Sequence, residues 1–590
     1  MKRGLSFALG ALLLLLLSGC GQNPVPETGI LVNIRESAGF TVQNNGQRIQ
    51  PGEDAVFLLN TDPGFAIVSA DYEGSYYTYV GNGQTVLTLE DVQYSTHVSL
   101  ELSDHHVSIN YDPNGGTGPT ITIAYDTAIR SRPNTMNADN RFVREGHTLE
   151  SWNTRPDGTG ERIGLGSRAG VSVEGLTLYA QWAEWTPAEA FDWEYDEDGV
   201  CITGFHGSGD LLVIPGTIDG NPVTRIAAGA FQNGTMTTVV LPASMKTVED
   251  SAFQNCAVET LTLFDNIESI SDAAFVDCAA LRTLRINAIE KPYGIYYRRE
   301  SLYADKVELL IQAQGQKKIV FYGGCSTWYN LDSSQLGVLE EQGYRVINMG
   351  INGLANSSVQ MQILEPFLEP GDILFHTPEI SSAQQMMISV QMDPKNEDKL
   401  WCGLEYNYDL FTLVDLRTVP GALDSFCDYL GKKKEGTEYT EVYTRDGQTF
   451  SDEYGCVIYY RDKTVLPLYD EVYMDPSYIS EQGINRLQGF YDRYQERGVR
   501  IYLSYACVNM DEVPEEQRNS VQMVEERFQT AVKAMEGPVL ISRLEDYLYQ
   551  SSDFYDTNYH LLSEAAGRNT EKWLRDLQTQ MELDGLWEAP

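Results

Sequence analysis

The chain has 590 residues, which is several domains rather than one. Its 84 acidic residues outnumber 42 basic ones, and the net charge of -42 is spread along the chain instead of sitting in a tail. That balance argues against nucleic-acid partners and against binding to anionic membranes. There are nine cysteines but no CxxC or CxH clusters, so no zinc site is signalled, and no metal or organic cofactor is implied.

In chain order, Lys2 and Arg3 precede an apolar run from Leu5 to Leu17 that is too short for a comfortable spanning helix. It reads as a secretion signal over residues 1–19. The run ends in Leu17-Ser18-Gly19-Cys20, which resembles a lipobox. The resemblance implies that the Cys20 thiol takes a diacylglyceryl group and becomes the first mature residue. The alternative is an ordinary signal peptide with a chance cysteine. Each buried lipid CH₂ contributes about 0.8 kcal/mol, so two chains would hold the protein on the outer face of the membrane. Residues 20–28 form a polar tether with two prolines. No later segment approaches twenty apolar residues.

Residues 29–104 alternate in short strands (ILVNI, DAVFLL, TVLTL, HVSLEL) broken by Gly, Asn, Asp and Pro, which predicts a small β domain of sandwich type. His97, His105 and His106 read there as exposed strand-end residues. Residues 105–184 carry Asn110-Tyr111-Asp112-Pro113-Asn114-Gly115-Gly116, Gly146-His147-Thr148-Leu149, Ser151-Trp152-Asn153-Thr154 and Leu176-Thr177-Leu178-Tyr179-Ala180-Gln181-Trp182. Asn-Gly-Gly and Asp157-Gly158 supply the positive φ of tight turns. Trp152, Tyr179 and Trp182 supply a core. The segment resembles the internalin-type B repeat of bacterial surface proteins, which implies a β-grasp-like spacer or adhesion module.

Residues 190–288 repeat internally. Ala230-Phe231, Ala252-Phe253 and Ala274-Phe275 recur every 22 residues, and Ile226, Val248 and Ile270 keep the same phase. The pattern resembles BspA-like leucine-rich repeats and implies a short solenoid acting as a spacer or a binding surface. Cys256 and Cys278 fall at equivalent positions and read as buried apolar residues.

From 300 to 590, strands alternate with helices, which predicts a parallel sheet covered on both faces, with its sites at the carboxyl ends of the strands. Lys318 to Tyr322 is the first strand, followed by Gly323-Gly324-Cys325-Ser326-Thr327. Arg345 to Asn348 runs into Met349-Gly350. Pro370-Gly371-Asp372 introduces the strand Ile373 to Phe375. Asp556-Thr557-Asn558-Tyr559-His560 precedes the last helix. This order resembles the SGNH/GDSL hydrolase-like family, whose flavodoxin-like parallel sheet supports acyl transfer. The resemblance implies a nucleophile at Cys325 or Ser326, His560 as base, Asp556 as its orienting partner and the Gly350 N–H as an oxyanion donor.

The chain departs from the family pattern in three places. Cys325 aligns with the usual serine, His376-Thr377-Pro378-Glu379 replaces the usual asparagine, and Asp556 lies four residues before His560 instead of three. His376 reads as a satisfied strand-end histidine. Cys402, Cys427, Cys456 and Cys507 read either as disulfide partners or as core thiols. Residues 381–475, rich in Tyr and Asp, read as an insertion able to form a lid or substrate surface.

Two functions follow. One is a surface lipoprotein that hydrolyses or transfers an ester, acetyl among the candidates, on a cell-envelope or extracellular glycan. The other is a non-catalytic adhesion or scaffold protein with a degenerate SGNH-like domain. The expected partners are the membrane through Cys20 and a wall polymer, extracellular polymer or protein ligand.

Overall fold

The computed structural model describes most residues from 29 to 587; the main stretches outside it are 1–28, 127–141, 168–175, 290–301, 352–356, 381–396 and 435–451. The signal segment, Cys20, the tether and His105 lie outside the described residues, as do the side chains of His97 and His106. Among the described residues, no helix is long and apolar enough to cross a membrane.

The first module is built from two sheets around one core. Along Glu53–Thr61, Ala55, Phe57 and Leu59 are buried and their neighbours are not, the two-residue period of a half-buried strand. They meet Val32, Ile34, Leu87, Leu89 and Val98 in a core of their own.

The second module is a five-stranded sheet in the order Ile121–Asp126, His106–Asp112, Leu176–Glu184, His147–Asn153, Arg162–Ile163. Asn114 and Gly115 take φ of 44° and 84°, as the Asn-Gly-Gly turn requires. Trp152 is fully buried, with Tyr111 and Phe142 edge-on to it at 4.9 and 5.1 Å. Tyr179 is a correction: Leu178 and Ala180 face the core, so strand alternation turns Tyr179 away, and Tyr111 and Phe142 fill the space instead.

The solenoid stacks Thr238–Val240, Thr260–Phe264 and Thr283–Asn287 as parallel strands. Phe231, Phe253 and Phe275 form a column with ring centroids 4.8 and 4.9 Å apart and planes within 3°. Asn233, Asn255 and Asp277, again 22 residues apart, hold φ of 63°, 55° and 62°. These are the side chains that tolerate the left-handed region. The thiols of Cys256 and Cys278 donate to the carbonyls of Phe231 and Phe253 at 3.0 and 2.9 Å.

The last strand of the solenoid would leave an open edge, a liability that proteins cover. Here the repeat module and the third region close it together. Asn287 Oδ1 accepts from Leu165 N at 3.0 Å, and Arg285 pairs with Glu150 at 3.4 Å. Asp409 pairs with Arg162 at 3.1 Å, and Leu416 N donates to Arg282 O at 2.8 Å. The described part of the 381–475 insertion around Asp409 is therefore an end cap for the solenoid, a role that its composition does not announce.

The third region starts with α1 (Leu302–Gln312). Its sheet has five parallel strands, which we number β1 (Lys318–Gly323), β2 (Arg345–Asn348), β3 (Ile373–Thr377), β4 (Arg500–Leu503) and β5 (Val539–Leu540). Their spatial order is 2-1-3-4-5, that of flavodoxin-like doubly wound sheets. The helices used below are α2 (Cys325–Tyr329), α3 (Ser357–Leu364), α4 (Glu481–Glu496), α5 (Ser520–Ala534) and α6 (Ser563–Leu583). Every residue of β1 and β3 is buried, as central strands of such a sheet require.

Candidate active site

The site lies where β1 ends. Two glycines, Gly323 and Gly324, turn the chain into α2, and each is needed for a close approach. A Cβ on Gly323 would strike the hydroxyl of Thr327, and one on Gly324 would strike the carboxylate of Glu379. The bare turn lets Glu379, two residues past β3, come down on it. Glu379 Oε1 accepts from Ser326 Oγ at 2.7 Å and from Ser326 N at 3.2 Å. Cys325 Sγ stands 4.0 Å from the same oxygen. Ser326 is fully buried, whereas Cys325 keeps partial exposure.

His560 and Asp556 are carried by the segment before α6. His560 Nδ1 bonds Asp556 Oδ1 at 2.7 Å, with the imidazole 3 % exposed and the carboxylate 22 % exposed. Its ring stacks on Tyr329 at 3.7 Å, with 7° between the planes. Tyr329 lies one turn after Cys325 on α2, and helical side chains lean toward the N-terminus. The stack therefore ties the imidazole to the face of α2 that begins at Cys325. Asn330 fastens the same two pieces of chain: its Nδ2 donates to Tyr559 O at 2.9 Å, and its Oδ1 accepts from Leu561 N at 2.8 Å. Arg461 bridges Tyr329 O at 2.7 Å and Leu561 O at 2.9 Å, and its guanidinium lies 5.4 Å from the Tyr329 ring.

Gly350 packs against α2, where a Cβ would meet Trp328 N at 2.5 Å. Its N–H donates to Asn348 Oδ1 at 2.9 Å. Beneath it, the buried Lys306 ammonium donates to the carbonyls of Asn348, Gly350 and Gly455 at 2.9, 2.6 and 2.8 Å. This fixes the turn after β2 from below. His376 is separate from the site: it is fully buried on β3, with Nδ1 2.6 Å from the Tyr491 hydroxyl, and burial pulls its pKa down to about 3. Asn348 and Asn330 donate to the thiols of Cys456 and Cys507 at 3.4 and 3.1 Å, and no disulfide joins any of the described cysteines. Among the described residues, no group of three His, Cys, Asp or Glu is arranged to hold a metal ion.

Sequence reasoning names Cys325, Ser326, Asp556 and His560 and treats Glu379 only as a departure. The structure brings Glu379 onto Ser326 and joins His560 to Asp556. Tyr329, Asn330, Arg461 and Lys306 also serve the site and are missed. Tyr329 and Asn330 could have been suspected from their place one turn beyond the Gly323-Gly324 turn. Arg461 and Lys306 come from distant segments and leave no signal.

Residues 108–181 match the family described as the Listeria-Bacteroides repeat domain, and residues 217–301 match the BspA type leucine rich repeat region. Both matches end before α1. A protein of Evansella cellulosilytica, named provisionally as a membrane protein, is 30% identical over 112 residues, covering 19% of this chain and 16% of that protein. The chain thus matches only a small part of that relative's length. Among solved structures, the T. pallidum leucine rich repeat protein is similar at 32% identity over 17% of this chain and 49% of that one, with a TM-score of 0.17. The chain is a multidomain protein carrying a Listeria-Bacteroides repeat followed by BspA type leucine-rich repeats.

Proposed function

We propose that the chain is a surface-displayed protein whose α/β domain, of SGNH type, hydrolyses or transfers an acyl ester on a cell-envelope or extracellular glycan. The observation that carries this reading is the Asp556–His560 pair, stacked through Tyr329 onto the helix that starts at Cys325. Cys325 is the nucleophile in this reading, because its thiol keeps exposure while the Ser326 hydroxyl is buried against Glu379. His560 takes the thiol proton, and Asp556 fixes the tautomer that leaves Nε2 as acceptor. The sulfur bonds to the acyl carbon and the C–O bond breaks. The departing alkoxide takes the proton back from His560, and water or an acceptor hydroxyl then releases the thioester. The oxyanion takes backbone N–H groups of the nucleophile turn, with Gly350 joining once Asn348 yields its N–H.

The repeat modules hold this domain out from the cell, and a lipid on Cys20 anchors the chain. Support for that placement is the pair of repeat families and the name of the Evansella relative. The test is turnover of small acetyl and butyryl esters by the full chain and by Cys325→Ala, Ser326→Ala and His560→Ala. Activity lost with Cys325 and His560 but retained in the serine variant is expected. Activity indifferent to all three, on small esters and on acetylated glycans alike, would leave the non-catalytic scaffold reading, to which the Ser326–Glu379 bond gives its own support.

A further inference from the structure

Away from that site, α3, α4 and the segment around 413–420 enclose a cleft of about 810 Å³. In a chain with twice as many acids as bases, the cleft reverses the balance: Arg417, Arg486, Arg493 and Arg497 face it, against the carboxylates of Glu365 and Asp415. Arg486 and Arg493 stand two turns apart on one face of α4, and Arg497 caps the helix end. Each guanidinium has five N–H donors in a rigid fork, and three of them are held by protein acceptors, of which Glu365 and Asp415 themselves line the cleft. Arg493 donates to Glu365 at 2.8 Å and to Gly489 O at 2.8 Å while lying 4.5 Å over the Phe490 ring. Arg497 donates to the carbonyls of Leu368 and Pro366 at 3.0 and 3.2 Å, so these bonds leave its charge unneutralised. Arg417 donates to both oxygens of Asp415, through Nε at 2.9 Å and Nη2 at 2.5 Å.

Gly489 adds an independent sign. It sits inside the 16-residue α4, where glycine is less favourable than alanine. A Cβ there would meet nothing within 4 Å, so packing does not require the glycine. It does keep the cleft floor bare between Arg486 and Arg493.

We infer that this cleft binds an extended ligand bearing two or more oxyanion groups, carboxylates or phosphates, each taken by a guanidinium fork. Both groups match the planar bidentate geometry of arginine. The cleft lies apart from the Cys325 turn, and the inference does not depend on the acyl-transfer reading.

The test is calorimetric titration of the full chain with polyglutamate and with polyphosphate at low salt, beside neutral dextran. At least one polyanion binds, dextran does not, and affinity falls as salt rises. The polymer that binds names the group. Arg417→Gln with Arg486→Gln lowers affinity about tenfold or more, as loss of charge-assisted bonds does. Gly489→Ala weakens binding while leaving the melting temperature equal or higher, a combination that misfolding cannot produce. The inference is overturned if neither polymer binds at low salt. It is also overturned if affinity is unchanged in both Gly489→Ala and a folded double arginine variant.

Discussion

The leucine-rich solenoid and the α/β domain bury polar groups in different ways. Inside the solenoid the described buried polar side chains are few, Thr224, Thr262, Asp265 and Asn287, and one contact is repeated: a phenylalanine on the next phenylalanine, a strand on the next strand. The α/β domain buries many more, among them Lys318, Asp372, His376 and Asp576 as well as Lys306, Ser326, Asn330, Asn348, Glu379, Arg461 and His560 on and around the Cys325 turn. Burying such groups costs free energy unless every bond is made, and their networks are correspondingly rigid. The proposed chemistry at the Cys325 turn rests on such a network, whereas the solenoid column needs none.

The largest expected effect on this contrast is that of His560→Ala, which should lower kcat/KM on a small ester by about 10²–10⁴ and, by removing the buried stack and the Asp556 bond, cost about 1–3 kcal/mol of stability as well. Next in size is Phe253→Ala, which removes the centre of the aromatic column and should cost about 3–5 kcal/mol in urea unfolding. Turnover measured well below that transition should be unchanged; a large loss would show that the two regions are not separate in function. Lys306→Met leaves three carbonyls without their donor and should cost about 3 kcal/mol, with loss of activity as the Gly350 turn relaxes.

A graded, pH-dependent effect comes from His376. Its folded pKa of about 3 lies below the ordinary 6.5, so between those values the unfolded chain binds the extra proton. Stability should therefore fall as pH drops through that window, by roughly 1 kcal/mol per pH unit from this group, and His376→Asn should flatten the slope. Least of all, the exposed Arg282–Glu259 pair at 3.3 Å should contribute under about 0.5 kcal/mol when Arg282 is replaced by alanine.

The repeats are legible in the sequence because their physics is periodic. A side chain that stacks on its own copy must recur at the repeat length, as Phe231, Phe253 and Phe275 do. The α/β order is legible because buried strands are short apolar runs, and Cys325 and His560 stand out by their places beside a glycine turn and before a helix. What stays hidden depends on contacts between distant segments. Tyr179 is a two-residue-period detail of the strand Leu176–Glu184. The cap around Asp409 answers an exposed edge more than a hundred residues earlier in the chain. Glu379 reads as a defect until Gly324 is seen to make room for it, and Arg461 reaches the site from within the insertion.

In the proposed reaction, Cys325 carries an acyl group passed to it with the help of His560. The most direct measurement is site-resolved mass spectrometry of the full chain, quenched after mixing with a small acetyl ester. Acetyl is expected on Cys325 and is expected to be absent from His560→Ala. Acetyl on Ser326 instead, or no adduct on this turn while ester is being consumed, would contradict it.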